Sequence, residues 1–337
     1  MSIRWQVLVT VVLMTGACAP TTTAQSSPNP TATVAAVPVD VRFGVDSFAG
    51  AVVVYVAREK GFFENEGIRA KIDTYATGAD SLNAVLAGME DFGYAFDFGS
   101  VGAMASNQLR YVAAITRAQP GFHKLAMRDD VQGPADLIGK KIGVVFGTTQ
   151  HFVTVRFLQA QGIPLDKVEM LSFGTPLELV AALRTGQISS AWVFGPAIAE
   201  AEKSPRVRLT IDDRVVVTRS TGYLIATRTL VETRADIARR VFTGLLRARN
   251  WTNLSSANRN EAMEIVAKDL KVPVASVKAT LDLTDFVVNF DETDLATLGT
   301  MASFRESLGG ARPIGDMRQY LALDPLRQVD PTAVSVR

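Results

Sequence analysis

The chain has 337 residues, 47% of them hydrophobic, with 35 Lys and Arg against 34 Asp and Glu for a formal charge of +1. That length is enough to bury the cores of two domains, and the even charge balance excludes the dense basic face that a nucleic-acid binder needs. The one cysteine, Cys18, and the two histidines, His123 and His151, exclude an internal disulfide and a cysteine cage and are too few for an ordinary histidine zinc site, so no metal or cofactor is expected.

The first segment is not part of the fold. Arg4 supplies a positive charge, Trp5–Met14 is an apolar run too short to span a bilayer comfortably, and the small residues Thr15, Gly16 and Ala17 precede Cys18. Residues 1–18 read as a secretory signal. Two endings stay open: lipidation of Cys18, as in the bacterial lipoprotein signals this segment resembles (although Thr15 stands where leucine is preferred), or cleavage by ordinary signal peptidase. Residues 19–38 are rich in Thr, Ser and Pro and cannot bury apolar surface, which makes them a flexible tether.

The folded part starts near Val39. Val39–Val45 alternates like a strand. Ala51–Phe63 is ambiguous, since its β-branched run favours a strand while the approach to Gly61 suits a helix that stops there. Arg69–Tyr75 reads as a strand, Asp80–Ala87 as a helix, Gly93–Phe96 as a strand and Val101–Gln108 as a short helix. The same order then returns: strand Lys141–Phe146, turn Gly147–Thr149, helix Gln150–Gln161, strand Val168–Phe173, helix Leu177–Arg184 and strand Ala191–Phe194. Gly67-Ile68 and Gly162-Ile163 occupy equivalent places in the two copies. The repeat is visible residue by residue, because Ala84–Phe96 and Ala182–Phe194 align at an offset of 98, with Gly88 on Gly186, Tyr94 on Trp192 and Phe96 on Phe194. Such alternation argues for two similar α/β units with mainly parallel sheets, and ligands commonly sit between such units.

Arg214–Thr218 and Gly222–Ala226 are expected as strands crossing back to the first unit. From Leu230 onward the chain reads as helical, with Ala235–Trp251, Asn260–Leu270, Val274–Leu283 and Leu295–Leu308, and the arginines of Arg234–Arg249 make a solvated face. The tail after Pro325 is expected to be loosely ordered. Catalytic signatures are missing. Gly143–Thr149 lacks the lysine of a phosphate loop, and Asp97-Phe98-Gly99 has no kinase catalytic loop beside it.

Five segments carry a family resemblance: Ala57–Gly67 (A-R-E-K-G-F-F-E-N-E-G), Ala84–Tyr94, Asp136–Gly143 (D-L-I-G-K-K-I-G), Phe146–Phe152 (F-G-T-T-Q-H-F) and Ala181–Pro196. Together, over roughly Val39–Ala226, they resemble the periplasmic solute-binding proteins of ABC importers for sulfonates, taurine and nitrate, a family that includes thiamine-pyrimidine binders. The resemblance implies an α/β, two-lobed periplasmic-binding-protein fold (type II-like), each lobe a mainly parallel sheet flanked by helices, with C-terminal helices. Residues 39–122 plus 219–325 would form lobe one, 123–218 lobe two and 326–337 a tail. It also makes Ala51–Phe63 a helix.

Function follows from the same resemblance. A small organic anion or zwitterion, sulfonate- or taurine-like, would be held between the lobes and delivered to a membrane permease driven by an ATPase. The alternatives are a thiamine-pyrimidine or other flat heterocycle, and nitrate. No catalysis is implied, since the related enzymes that make thiamine pyrimidine carry a cysteine cluster absent from this folded part. The protein would be exported, periplasmic or at the cell surface, held to the membrane through Cys18 if lipidated.

Cleft residues are expected at the C-terminal ends of strands and the helix starts that follow. Thr148 and Thr149 open a helix whose free N–H groups suit an anion, with the alternative that Thr149 is only a cap. His151 either donates to the ligand or stacks. Asp46, Ser47 and Phe48 follow the first strand. Phe96, Asp97 and Phe98 end the repeated one, where Asp97 either takes a ligand amine or caps the next helix. Trp192 and Phe194 are either core or a ligand platform, and Arg219 with Thr221 near the crossover would supply a cation and a hydroxyl.

Overall fold

The computed structural model describes Leu8 and residues 38–216, 219–309 and 312–337. The signal segment with Cys18, apart from Leu8, and the tether up to Val37 lie outside the described residues, as do Val217 and Thr218. The first strands are β1 (Val39–Asp46), β2 (Ile68–Tyr75), β3 (Phe92–Phe96) and β4 (Leu109–Ala118). Then come β5 (His123–Arg128), β6 (Lys141–Val144), β7 (Glu169–Ser172), β8 (Ser190–Phe194) and β9 (Val207–Asp212), and finally β10 (Ser220–Thr227) and β11 (Thr284–Asn289).

They form two sheets, one of order β11-β4-β10-β3-β1-β2 and one of order β7-β6-β8-β5-β9. The sequence repeat lies at the same place in both. β3 runs parallel to β1, with Gly44 opposite Gly93, and β8 runs parallel to β6, with Gly143 opposite Ala191. Each helix before the repeated strand ends in the same way. Gly88 and Gly186 take positive φ of 73° and 81°, and the next residue returns its N–H to Ala84 and Ala182 respectively, the left-handed stop that glycine adopts at no steric cost. The parallel half of each sheet matches expectation, whereas the other half is antiparallel. β10 pairs antiparallel with β3 and β4, and β5 with β8 and β9. In each sheet the antiparallel neighbour of the repeated strand, β10 or β5, is the first strand after the chain crosses from the other sheet.

Ala51–Phe63 is settled by packing. Val52–Glu59 is a helix whose residues Val52–Ala57 are all buried, between the first sheet and the helices Ala235–Asn253 and Ser256–Leu270. A helix covered all round carries no polar stripe, so its β-branched composition misleads. Beneath it the rings of Phe63, Phe43 and Phe92 stack at 5.3 and 5.4 Å.

Several expected elements are corrected. The helix expected at Val101–Gln108 spans Asp97–Met104, followed by the unforeseen β4, which is almost entirely buried and so shows no alternation. Of the strand expected at Arg214–Thr218, Val217 and Thr218 lie outside the described residues, and the part before them forms a 3-10 turn at Asp213–Val215, with strand β9 just ahead of it. The C-terminal half is not all helical, because β11 edges the first sheet. Nor is the tail loose: Asp324–Val329 is helical, Phe290 exchanges backbone hydrogen bonds with Ala333 (2.8 Å) and Ser335 (3.1 Å), and Val334 and Val336 are buried.

Candidate functional site

β1, β3 and β8 end at Asp46, Phe96 and Phe194, and the turn after β6 reaches Gly147. Helices start directly beyond, at Gly78 after β2, at Asp97 after β3 and at Thr149 after β6. These segments and the crossover at Phe122 and His123 meet at one partly enclosed pocket between the sheets. It is walled by Phe48, Phe96, Phe122 and Phe194, with Asp46, His123, Thr148, Thr149 and Gln150 as its polar groups and small residues such as Gly78 and Gly147 between them. The cavity is about 50 Å³, room for a few water molecules. It suits a solute of a few heavy atoms.

The rings close over the pocket as a connected set. Phe48 meets Phe194 edge-on at 5.2 Å, Phe122 meets Phe194 at 6.0 Å and Phe96 at 6.2 Å. Gly78 sits where a Cβ would fall 2.8 Å from the Ala95 backbone, so only glycine allows that helix start to approach the sheet.

The helix Thr149–Ala160 presents its N-terminus to the pocket. Thr148, at the cap position, donates its hydroxyl to the Val145 carbonyl at 2.7 Å and makes no side-chain cap. The His151 N–H donates to the Thr148 carbonyl at 3.0 Å, but the Thr149 and Gln150 N–H groups have no acceptor among the described residues and keep the helix's positive pole for an incoming oxyanion. Gln150 does not compete for that role: its amide is tied to the carbonyls of Gly143 and Trp192 and to the Val145 N–H.

Acidic groups sit on the other sheet. Asp46 is 3% exposed; its Oδ1 accepts from the Phe48 N–H at 3.1 Å, and burial pushes its carboxyl up to about 7 despite that bond. Asp97 is fully buried and satisfied by three donors, the Phe98 N–H (2.7 Å) and Thr149 hydroxyl (2.9 Å) on Oδ1 and the Thr221 N–H (3.1 Å) on Oδ2. Burial raises its pKa, and the donors offset part of the rise. Thr149 belongs to the second sheet's helix and Asp97 to the first sheet's, so this hydrogen bond joins the two. His123 stands between Phe122 and Phe194 with Nδ1 at 2.7 Å from Asp213. With Nδ1–H given to that carboxylate, Nε2 is the nitrogen left for other contacts.

A stability prediction follows for Asp46. Its folded pKa of about 7 lies above the ordinary 3.8, so the native state holds the extra proton between those values and loses stability as pH rises through 7. Asp46→Asn removes that loss and should raise the unfolding free energy by about 1–3 kcal/mol at pH 8, with no gain near pH 4. Denaturant melts at both pH values measure it, and an equal gain at both would contradict the cause given.

The family model described as NMT1/THI5 like matches residues 50–253. The chain belongs to the NMT1/THI5-like family. A protein of Brucella abortus (strain 2308) named as a binding protein is 27% identical over 246 residues, covering 72% of this chain and 74% of its own. The taurine-binding periplasmic protein of Escherichia coli K12 is 29% identical over 157 residues, 46% of this chain and 48% of its own. Among solved structures, the alkanesulfonate-binding protein of Xanthomonas axonopodis pv. citri superposes with a TM-score of 0.71 at 19% identity, over 86% of this chain and all of that one. That last likeness bears on the fold, which is the periplasmic-binding-protein one.

In this NMT1/THI5-like chain the expected site residues divide by position. Asp46, Phe48, Phe96, Thr148, Thr149 and Phe194 line the pocket. Ser47 points elsewhere, donating to the Ala76 carbonyl at 3.3 Å. Asp97 and Thr221 lie behind the wall, bonded to each other, so the ligand amine expected at Asp97 finds its carboxylate already occupied, and its helix begins at Asp97 itself. Phe98 packs on Phe152 and Phe304. His151 stacks edge-on against Phe146 and Phe98, and burial lowers its pKa. Trp192 is core, 1% exposed and set against Phe157. Arg219 offers no free cation, because its guanidinium is bonded to Asp291 and Asp294 at 2.8 and 2.7 Å. Phe122, His123 and Gln150 were not anticipated. The first two lie at the crossover between β4 and β5, and His123 owes its placement to Asp213, far along the chain.

Proposed function

We infer that this protein is the solute-binding component of an ABC importer and captures a small organic anion or zwitterion, sulfonate- or taurine-like, between its sheets. The observation that carries the reading is the uncapped start of helix Thr149–Ala160, facing a small pocket walled by phenyl rings. A sulfonate fits both features, with oxygens for the N–H groups and a short carbon chain for the rings. The names of the E. coli and Xanthomonas relatives, taurine-binding and alkanesulfonate-binding, point to the same chemistry. Residues 39–122 plus 219–325 and residues 123–218 would move as two lobes about the crossovers, and the closed form would dock on a permease with its ATPase. Export to the periplasm or cell surface accords with the periplasmic E. coli relative, and Cys18 is the candidate lipid anchor.

Catalysis has little to work with. Thr148 and Thr149 direct their hydroxyl hydrogens at Val145 and Asp97 rather than at His123, so neither forms a nucleophile–base pair. Nitrate needs donors in place of four rings, and a pyrimidine lacks the oxyanion that the helix start would take. Calorimetry with taurine, ethanesulfonate, nitrate and an aminopyrimidine tests this. Saturable one-to-one binding of a sulfonate is expected. Binding of the pyrimidine or nitrate alone would replace the ligand class, and absence of any binding together with turnover of a solute would remove the transport role.

A further inference from the structure

We propose that Asp46 selects for a ligand bearing an ammonium group, its carboxylate and the rings beside it forming the cationic pole of the pocket, while the helix start at Gly147–Thr149 takes the anionic end. The proposal rests on the reading of the pocket as an anion or zwitterion site. Among the described residues lining the pocket none is lysine or arginine, and the one carboxylate in its wall is Asp46. That carboxylate is 3% exposed, and its single protein hydrogen bond among the described residues is the Phe48 N–H on Oδ1. Asp97, the other acid nearby, is supplied by three donors and lies behind the wall.

A buried carboxylate lacking a counter-charge is unfavourable, and an incoming ammonium supplies the missing partner. Phe48, Phe96, Phe122 and Phe194 add ring faces that favour a cation over a neutral group. The same carboxylate works against a plain anion, because a second negative charge in this enclosed apolar space repels it. Attraction toward the zwitterion and repulsion of its amine-free analogue thus come from one side chain.

The test pairs ligands that differ only at the nitrogen: taurine against ethanesulfonate and isethionate, and β-alanine against propionate, titrated calorimetrically into the full protein and into Asp46→Asn. The wild type should prefer each amine-bearing member by about 10- to 100-fold, the range of a charge-assisted hydrogen bond. In Asp46→Asn the preference should fall to within about threefold, chiefly through weaker taurine binding, with ethanesulfonate binding retained or strengthened; that retained binding also shows that the variant is folded. Equal affinity for both members in the wild type, or an unchanged preference in Asp46→Asn, overturns the proposal and leaves the sulfonate reading intact. If none of these solutes binds the wild type, the underlying reading fails and the proposal with it.

Discussion

Replacing Asp294 with alanine should destabilise the protein by about 3–5 kcal/mol, the loss typical of removing one partner from a buried charged network. Asp294 is fully buried at the start of helix Glu292–Ser307. It accepts from Arg117 and Arg219, both at 2.7 Å, from the Asp291 N–H at 2.9 Å and from the Thr221 hydroxyl at 3.3 Å. Removing it leaves two guanidinium groups, 12% and 21% exposed, with Asp291 as their remaining carboxylate, and also breaks the capping box that starts the helix. Asp294→Asn keeps one acceptor oxygen and should cost less. Denaturant unfolding reads both variants, and a midpoint for Asp294→Ala equal to the wild type would show that the arginines are satisfied without it.

Asp97→Ala should weaken the binding of whichever sulfonate the wild type takes up by about 10- to 100-fold. The Thr149 hydroxyl donates to Asp97 at 2.9 Å, and a bond to a charged group is worth about 1.5–3 kcal/mol. Since it joins the two sheets' helices, it would hold the two lobes together in the proposed closure rather than stabilise either sheet alone. The Phe98 and Thr221 N–H groups also lose their acceptor, so some loss of stability accompanies the loss of affinity. Thr149→Val separates the two effects by removing only the link between the sheets. It should lower affinity while leaving the unfolding midpoint close to the wild type, and undiminished affinity in both variants would show that closure does not depend on this contact.

Much of the fold could be read from local signals. Glycine stops at Gly88 and Gly186 and the alternation of helix and strand located the repeated unit, because these act within a few residues. The strands that local reading missed share a physical cause. β4 is buried on both faces, so its sequence L-R-Y-V-A-A-I-T-R-A follows no period of two, and β11 is short and embedded among helices. At the site, strand ends gave the pocket-lining positions, but depth was invisible. Trp192 and Phe194 lie on the same face of β8, two residues apart, yet only the tip residue lines the pocket; Trp192, one step back, is covered by helix Thr149–Ala160 through Phe157.

By itself the sequence determined the α/β class, the twofold repeat and the ends of strands from which a cleft is built, since periodicity, capping and chain punctuation are properties of neighbouring residues. The tertiary structure alone decided which charges are free. Arg219 is taken up by Asp291 and Asp294 from a distant helix, Asp97 by Thr149 and Thr221, and His123 by Asp213. Asp46 is left as the carboxylate in the pocket wall. Pairing and desolvation depend on groups brought together across the whole chain, and they set the chemistry of each acid and base more strongly than its identity does.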